Sequence, residues 1–285
     1  MKISSLLVLG FLLASSQAMS SAARPNVIYG DDNRRDVYEA HGAFIELSRS
    51  TAAMIAPANM KLAGNAVVIS APTLQARGIC AKERFSNQIS AANCSGFLVA
   101  GNKLITAGHC IKSQADCAAN KWVFDYRVES ANQTQMVVPA SSIYSCRGII
   151  TRALDSSNDF AMIQLDRVVS DRHPVRLRKS GRPAVGDDLV VIGHPTGLPT
   201  KIADGAKVRS LLTKFFTANL DTYGGNSGSA VFNVRTEEVE GILVRGENDY
   251  VKDPSGCQVS NRCAMNACRG EDVTYITNVP GISSL

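Results

Sequence analysis

Two short blocks carry residue types that can do chemistry. Thr106-Ala107-Gly108-His109-Cys110 offers an imidazole, and Gly224-Gly225-Asn226-Ser227-Gly228-Ser229 offers a hydroxyl on a glycine-rich turn. An imidazole beside a serine takes the hydroxyl proton and makes the oxygen a nucleophile, which is the basis of covalent acyl transfer. His109 and Ser227 stand 118 residues apart, so they can act together only where the fold closes a cleft between them. The imidazole also needs a carboxylate to set its tautomer and orient the ring. Asp159 meets that requirement, because it opens the apolar run Asp159-Phe160-Ala161-Met162-Ile163-Gln164-Leu165. Such a run buries a strand and leaves the carboxylate at its mouth. Asp155 and Asp166 are weaker candidates. The first sits in the turn-like stretch Asp155-Ser156-Ser157-Asn158, and the second adjoins Arg167, where a solvent-exposed pair is the ordinary expectation.

The elements that must position these residues read as short strands. Ser95 to Val99, Lys103 to Thr106, Trp122 to Tyr126, Gln135 to Val138, Phe160 to Leu165, Leu189 to Ile192, Ala230 to Asn233, Val239 to Val244 and Val273 to Ile276 are rich in β-branched or aromatic residues. Glycine, proline and asparagine punctuate them, and helical periodicity is scarce. This pattern predicts an all-β fold, a sandwich or barrel rather than a parallel α/β sheet. A polar, proline-containing connection near residues 168 to 187 marks the junction of two β units. No internal repeat is visible.

The N-terminus reads as an export signal. Lys2 is followed by the apolar run Leu6 to Ala14 and then by small residues, which predicts cleavage after Ala18 or Ala23. A run of about ten residues is short of the roughly 20 that a spanning helix needs, so no membrane anchor is expected after signal removal. The expected organisation is a signal over 1–23, an N-terminal segment over 24–60, one β unit over 61–175 carrying His109 and Asp159, and a second over 176–285 carrying Ser227. The net charge of +5, falling to +4 once Lys2 leaves, is scattered among acids without a basic block, which argues against nucleic acid as a partner. Eight cysteines in the exported part predict up to four disulfides. Zinc competes as a reading of Cys257, Cys263 and Cys268. That spacing lacks a CxxC pair, no histidine lies nearby, and no metal or cofactor is expected. His194 reads as a structural residue in a turn, His41 and His173 as surface residues, and Trp122 as core with its indole nitrogen satisfied locally.

With the order His109, Asp159, Ser227, the three blocks resemble the chymotrypsin-like serine proteases. Ser-first and Asp-first triads are disfavoured by that order. Ser95-Gly96-Phe97-Leu98-Val99 followed by Leu104 to Cys110 is similar to the strand pair leading to the catalytic histidine of that family. Asn226 beside Ser227 and the block Ile192-Gly193-His194-Pro195-Thr196-Gly197 resemble the bacterial trypsin-like group that includes the glutamyl endopeptidases. The resemblance covers roughly residues 85 to 245. It implies two antiparallel six-stranded Greek-key β-barrels with the active site in the cleft between them. It also implies a secreted or periplasmic serine endopeptidase, a monomer acting on polypeptides and open to protein inhibitors. The Gly225 and Ser227 amides are the implied oxyanion hole. A disulfide between Cys94 and Cys110 is expected to pin the strand end that carries His109, at about 3 kcal/mol for a loop of this size. Cys117 with Cys146 is the next pair, and the pairing of Cys80, Cys257, Cys263 and Cys268 is open.

The resemblance also suggests residues for substrate choice. Asp221, six residues before Ser227, matches the carboxylate that favours Arg or Lys before the scissile bond, or else is a loop acid facing water. Thr222 matches a threonine that contacts substrate carboxylate in glutamyl endopeptidases, but Leu243 stands where those enzymes have histidine. Gly241 to Gly246 is expected to be the edge strand that pairs with substrate backbone, and Arg245 within it could pair with Asp221 or with a substrate acid. Asn226 cannot accept the N-terminal amine that activates digestive zymogens, so no insertion of that type is expected. Asn26 to Asp32 resembles the start of related bacterial proteases and marks a mature start near Val27. A serine esterase, and a protease-like domain that only binds, are the alternatives from other classes.

Overall fold

The computed structural model describes residues 28–246 and 248–285. The expected signal over 1–23 and the start at Val27 lie outside the described residues. Round the first ring run Thr51–Ile55, Ala92–Ala100, Lys103–Thr106, Asp159–Leu165, Ile143–Leu154 and Lys121–Phe124, each antiparallel to its neighbours. Round the second run Asp188–Gly193, Lys201–Leu211, Phe215–Ala218, Glu271–Tyr275, Val239–Arg245 and Ala230–Asn233, closed by the pairing of Asp188–Gly193 with Lys201–Leu211. The fold is therefore all-β with two closed six-stranded antiparallel barrels. Counted in chain order, both rings read first, second, third, sixth, fifth, fourth. One topology is used twice, although the sequence carries no visible repeat.

Aliphatic and aromatic residues close each barrel from inside. Phe97, Leu98, Leu104, Ile105, Trp122 and Ile163 are fully buried in the first, as are Leu189, Phe216, Val231 and Val273 in the second. Each such side chain contributes about 1.5–3 kcal/mol on leaving water. Trp122 is core, but its indole nitrogen finds no hydrogen-bond acceptor among the described residues, contrary to expectation.

The N-terminal segment departs from the expected organisation. The first barrel begins at Thr51 rather than at residue 61, because Thr51–Ile55 pairs with both Ala92–Ala100 and Lys121–Phe124 and the ring cannot close without it. Further upstream, Arg34–Asp36 belongs to the other half of the molecule. It pairs with Lys201–Ala203 and extends the second sheet to seven strands. Buried charges lock it there: Lys201 Nζ lies 2.6 Å from Asp36 Oδ1, and Arg34 pairs with Asp32 at 2.7 Å while stacking on the Tyr223 ring. Burial pushes the Lys201 amine down to about 8, with Asp36 opposing the shift.

Four disulfides join Cys94 to Cys110, Cys117 to Cys146, Cys80 to Cys257 and Cys263 to Cys268. The Cys80–Cys257 bond spans 177 residues and ties the loops of the first half to the hairpin Tyr250–Lys252 and Gln258–Ser260 of the second.

Candidate active site

His109 follows the strand Lys103–Thr106, and Asp159 is the first residue of the neighbouring strand Asp159–Leu165. The two meet twice. His109 Nδ1 lies 2.8 Å from Asp159 Oδ2, and the His109 backbone N–H donates to Asp159 Oδ1 at 3.0 Å. Asp159 is 2% exposed. Its carboxylate can only accept, so Nδ1 carries the ring proton and Nε2 presents its lone pair. The imidazole side chain stays one-third exposed, at 33%. The weaker candidates are spent elsewhere: Asp155 caps its own turn by accepting from the Ser157 and Asn158 amides, and Asp166 pairs with Arg167 on the surface.

Ser227 is tied to the first barrel through its own backbone. The Ser95 N–H donates to the Ser227 carbonyl at 2.8 Å, and Cys110 Sγ lies 3.7 Å from the same oxygen. Gly228, at φ +89°, passes so close that a Cβ would sit 2.1 Å from Ser95 O and 2.3 Å from Thr106 Oγ1. The Ser227 block is thus bonded by its main chain to the strand Ala92–Ala100 and packs closely against the His109 block.

Ahead of Ser227 the chain makes a tight turn. Asn226 N–H donates to Tyr223 O at 2.9 Å, and Gly225 at the third position has φ +94°, as a type II turn requires. The carbonyls of this loop are held in place. Gly224 O accepts from Thr196 N–H at 2.6 Å, Gly225 O accepts from the Ser95 hydroxyl at 2.8 Å, and Asn226 O accepts from Ser229 N–H at 2.8 Å. In a planar trans peptide the N–H points opposite to the C=O. The Gly225 N–H is therefore turned away from Thr196 and the Ser227 N–H away from Ser229, and neither donates to an acceptor among the described residues. Two N–H groups on this one turn are thus left free to donate to an oxygen brought against it.

A pocket of about 250 Å³ opens beside Ser227, with Thr222, Leu243, Arg245, Asp249 and Glu271 in its walls. Asp221 is not among them, which corrects the expectation that it forms the base. It is 4% exposed, and its two oxygens accept from the Tyr29 N–H at 2.8 Å and the Asn33 N–H at 2.9 Å, so it serves the incoming N-terminal segment. Burial pushes its carboxyl up to about 6, against those two bonds. Arg245 therefore has no Asp221 partner, and its Nε lies 3.3 Å from Asp272 Oδ2. Within the pocket, Thr222 Oγ1 donates to Glu271 Oε2 at 3.0 Å. Asp249 Oδ2 accepts from the Gly224 N–H at 2.8 Å, and burial pushes this carboxyl up to about 6 as well, opposed by that bond and by Arg34.

The strand Val239–Arg245 is not an edge over its length. Gly241 and Ile242 are flanked by strands on both sides, and Leu243 exchanges backbone bonds with Gly228 and Ser229. Pairing with the strand Ala230–Asn233 ends at Ile242, so only the stretch from Val244 onward leaves a side free. Asn226 is 2% exposed and its amide oxygen accepts from the Ser229 hydroxyl; the expected start near Val27, on which the zymogen question turns, lies outside the described residues. His194 is wholly buried, with Nδ1 3.1 Å from Leu198 O, and burial pushes its pKa down to about 3. His41 and His173 are exposed. Sequence reasoning missed Ser95, Asp249, Glu271 and the N–H groups of Tyr29, Asn33 and Thr196. Only Ser95 left a trace, as a hydroxyl inside an otherwise apolar strand.

A description of the trypsin-like peptidase domain matches residues 94–242, from the first cysteine of the His109 brace to beyond Ser227. The chain belongs to the trypsin-like peptidase family. This trypsin-like peptidase is 30% identical over 183 residues to the extracellular metalloprotease of Bacillus subtilis (strain 168), covering 62% of its own length and 58% of the relative's. It is 31% identical over 137 residues to the probable serine protease do-like of Buchnera aphidicola subsp. Acyrthosiphon pisum (strain APS), covering 45% and 27%. It thus spans less than two thirds of either curated relative. Among solved structures it shares its fold with a Glu endopeptidase in complex with MPD, at TM-score 0.50 and 16% identity over 88% of this chain and 94% of that one. The Vibrio cholerae VesB protease gives 0.52 and 17% over 86% and 64%. Among the described residues of this peptidase, three potential metal-ligating side chains gather in two places, Cys94, His109 and Cys110 and Cys80, Asp253 and Cys257, and in both the sulfurs belong to disulfides.

Proposed function

We propose that the protein is an exported serine endopeptidase that cleaves peptide bonds through an acyl-enzyme, with Ser227 as nucleophile, His109 as general base and acid, and Asp159 as its orienting carboxylate. The observation that carries this reading is the doubly bonded His109–Asp159 pair across a main-chain seam from Ser227. His109 Nε2 takes the Ser227 hydroxyl proton as Oγ attacks the peptide carbonyl, then returns it to the leaving amine. Asp159 holds the ring and stabilises its charged form. Negative charge on the carbonyl oxygen falls to the Gly225 and Ser227 amides, each worth about 3 kcal/mol in such enzymes. Water then repeats the sequence on the ester. Four disulfides support a working place outside the reducing cytoplasm, secreted or periplasmic.

The substrate preference we propose is Arg or Lys before the scissile bond, read by Asp249 and Glu271 instead of Asp221. The pocket walls carry these two carboxylates against one cation, Arg245, which already faces Asp272. A buried acidic substrate side chain would meet like charge there. The test is labelling with a fluorophosphonate, followed by cleavage profiling on a peptide library with Ser227→Ala as control. Labelling with cleavage after Arg or Lys is expected. Cleavage after Glu would overturn the preference, labelling without peptide cleavage would make the protein an esterase, and no labelling would leave a binding domain.

A further inference from the structure

Ser95 is fully buried in the first-barrel strand Ala92–Ala100, yet its side chain serves the other barrel. The hydroxyl oxygen accepts the His194 N–H at 3.0 Å, and the hydroxyl proton goes to the Gly225 carbonyl at 2.8 Å. One proton and one direction are thereby fixed: His194 N–H to Ser95 O–H to Gly225 C=O. The turn that supplies the His194 N–H also supplies the Thr196 N–H, which holds the preceding carbonyl, Gly224. Thr196 sits in the left-handed region at φ +51°, a costly conformation for a threonine. Its carbonyl accepts from the Ser90 hydroxyl at 2.5 Å, and its Oγ1 lies 2.7 Å from Tyr250 Oη. A residue kept strained by surrounding bonds points to a constraint that the loop it touches needs.

We propose that Ser95 is a positioning residue for the oxyanion hole: the Thr196 amide clamps the Gly224 carbonyl from the second barrel and Ser95 clamps the next carbonyl, Gly225, from the first, so that the peptide between the two donor peptides is fixed and the Gly225 and Ser227 amides keep their orientation before substrate arrives. This rests on the serine-endopeptidase reading and adds to it a hydroxyl that never touches substrate. Without the hydroxyl, the Gly225 carbonyl and the His194 N–H both lose their partner, and the Gly225–Asn226 peptide, which lies between the peptides carrying the Gly225 and Ser227 N–H groups, is free to rotate and change the donor geometry. The loss then falls on the transition state, where the donors act, and not on substrate binding.

Ser95→Ala, or Ser95→Gly should alanine disturb folding, is compared with wild type on a cleavable peptide amide. The expected result is a kcat at least about tenfold lower with KM within about twofold. A peptide boronate that forms a tetrahedral adduct should lose affinity by the same factor as kcat, a non-reacting product peptide should bind unchanged, and Ser95→Thr, which keeps the hydroxyl, should recover most of kcat. Unchanged kcat in a folded variant overturns the proposal, and so does parallel weakening of boronate and product peptide, the mark of general loosening. A wild type that no fluorophosphonate labels would instead remove the reading on which the proposal rests.

Discussion

Asp159 contributes both oxygens to one residue, and that sets what its removal does. Asn in its place keeps the shape but brings a donor to one of the two His109 N–H groups, so the ring loses the bond that fixes its tautomer. Asp159→Asn is expected to lower kcat by about 10⁴-fold with folding retained, read by steady-state kinetics beside thermal unfolding. The two acids near the pocket part company in a different assay. Asp249→Asn should erode the preference for Arg and Lys over neutral residues in a peptide library, whereas Asp221→Asn should leave that preference in place. Equal effects of the two would return Asp221 to the pocket. The His109–Asp159 pairing was legible because residue type and the apolar run after Asp159 point to it directly, and Ser227 stood out as a candidate by its glycine-rich block. Asp221 was misread because its partners are main-chain N–H groups 192 and 188 residues away, and a backbone amide has no signature in the residue letters.

At the scale of elements, legibility followed composition. Strands rich in valine, isoleucine and phenylalanine were visible, but Thr51–Ile55 is built on two alanines, and Lys201–Leu211 carries Gly205 and register shifts in both of its hairpin pairings. Tertiary pairing, not intrinsic preference, makes both of them strands. The N-terminal segment, which the sequence presents as an extension, is bonded into the wall beside the pocket. Its Asp221 anchor gives a pH signature. The carboxyl is pushed up to about 6 from an ordinary 3.8, so the folded state holds the proton more tightly than the unfolded chain. The ionised group weakens the fold fully above pH 6, and that penalty fades as pH falls to about 4. A gap of roughly two pH units corresponds to about 3 kcal/mol. The stability of wild type relative to Asp221→Asn should therefore rise between pH 7 and pH 4 in denaturant titrations. A difference independent of pH would refute the anchor as drawn.

For the whole molecule, the repeated ring order explains why no repeat shows in the letters: closing a barrel needs only apolar inward positions in a fixed pairing order, which unrelated sequences satisfy. The Cys80–Cys257 bond then fastens the two halves. By the chain-entropy account a loop of 177 residues is worth about 5 kcal/mol, so replacing both cysteines with alanine should lower the unfolding free energy by up to that amount. Replacing Cys263 and Cys268, which close a loop of 5, should cost far less, and chemical denaturation of the two variants ranks them. The strand Arg34–Asp36 finds its partner only when Lys201–Ala203 has been made, 165 residues after Asp36. Synthesis runs N-terminus first at about 5–20 residues per second, so this edge waits on the order of 10 s without its mate. Arg34, Arg35 and Asp36 cover the waiting edge with charge, which discourages capture by a stray strand. The same charges that later form buried ion pairs thus guard the nascent chain during the interval when its halves have not yet met.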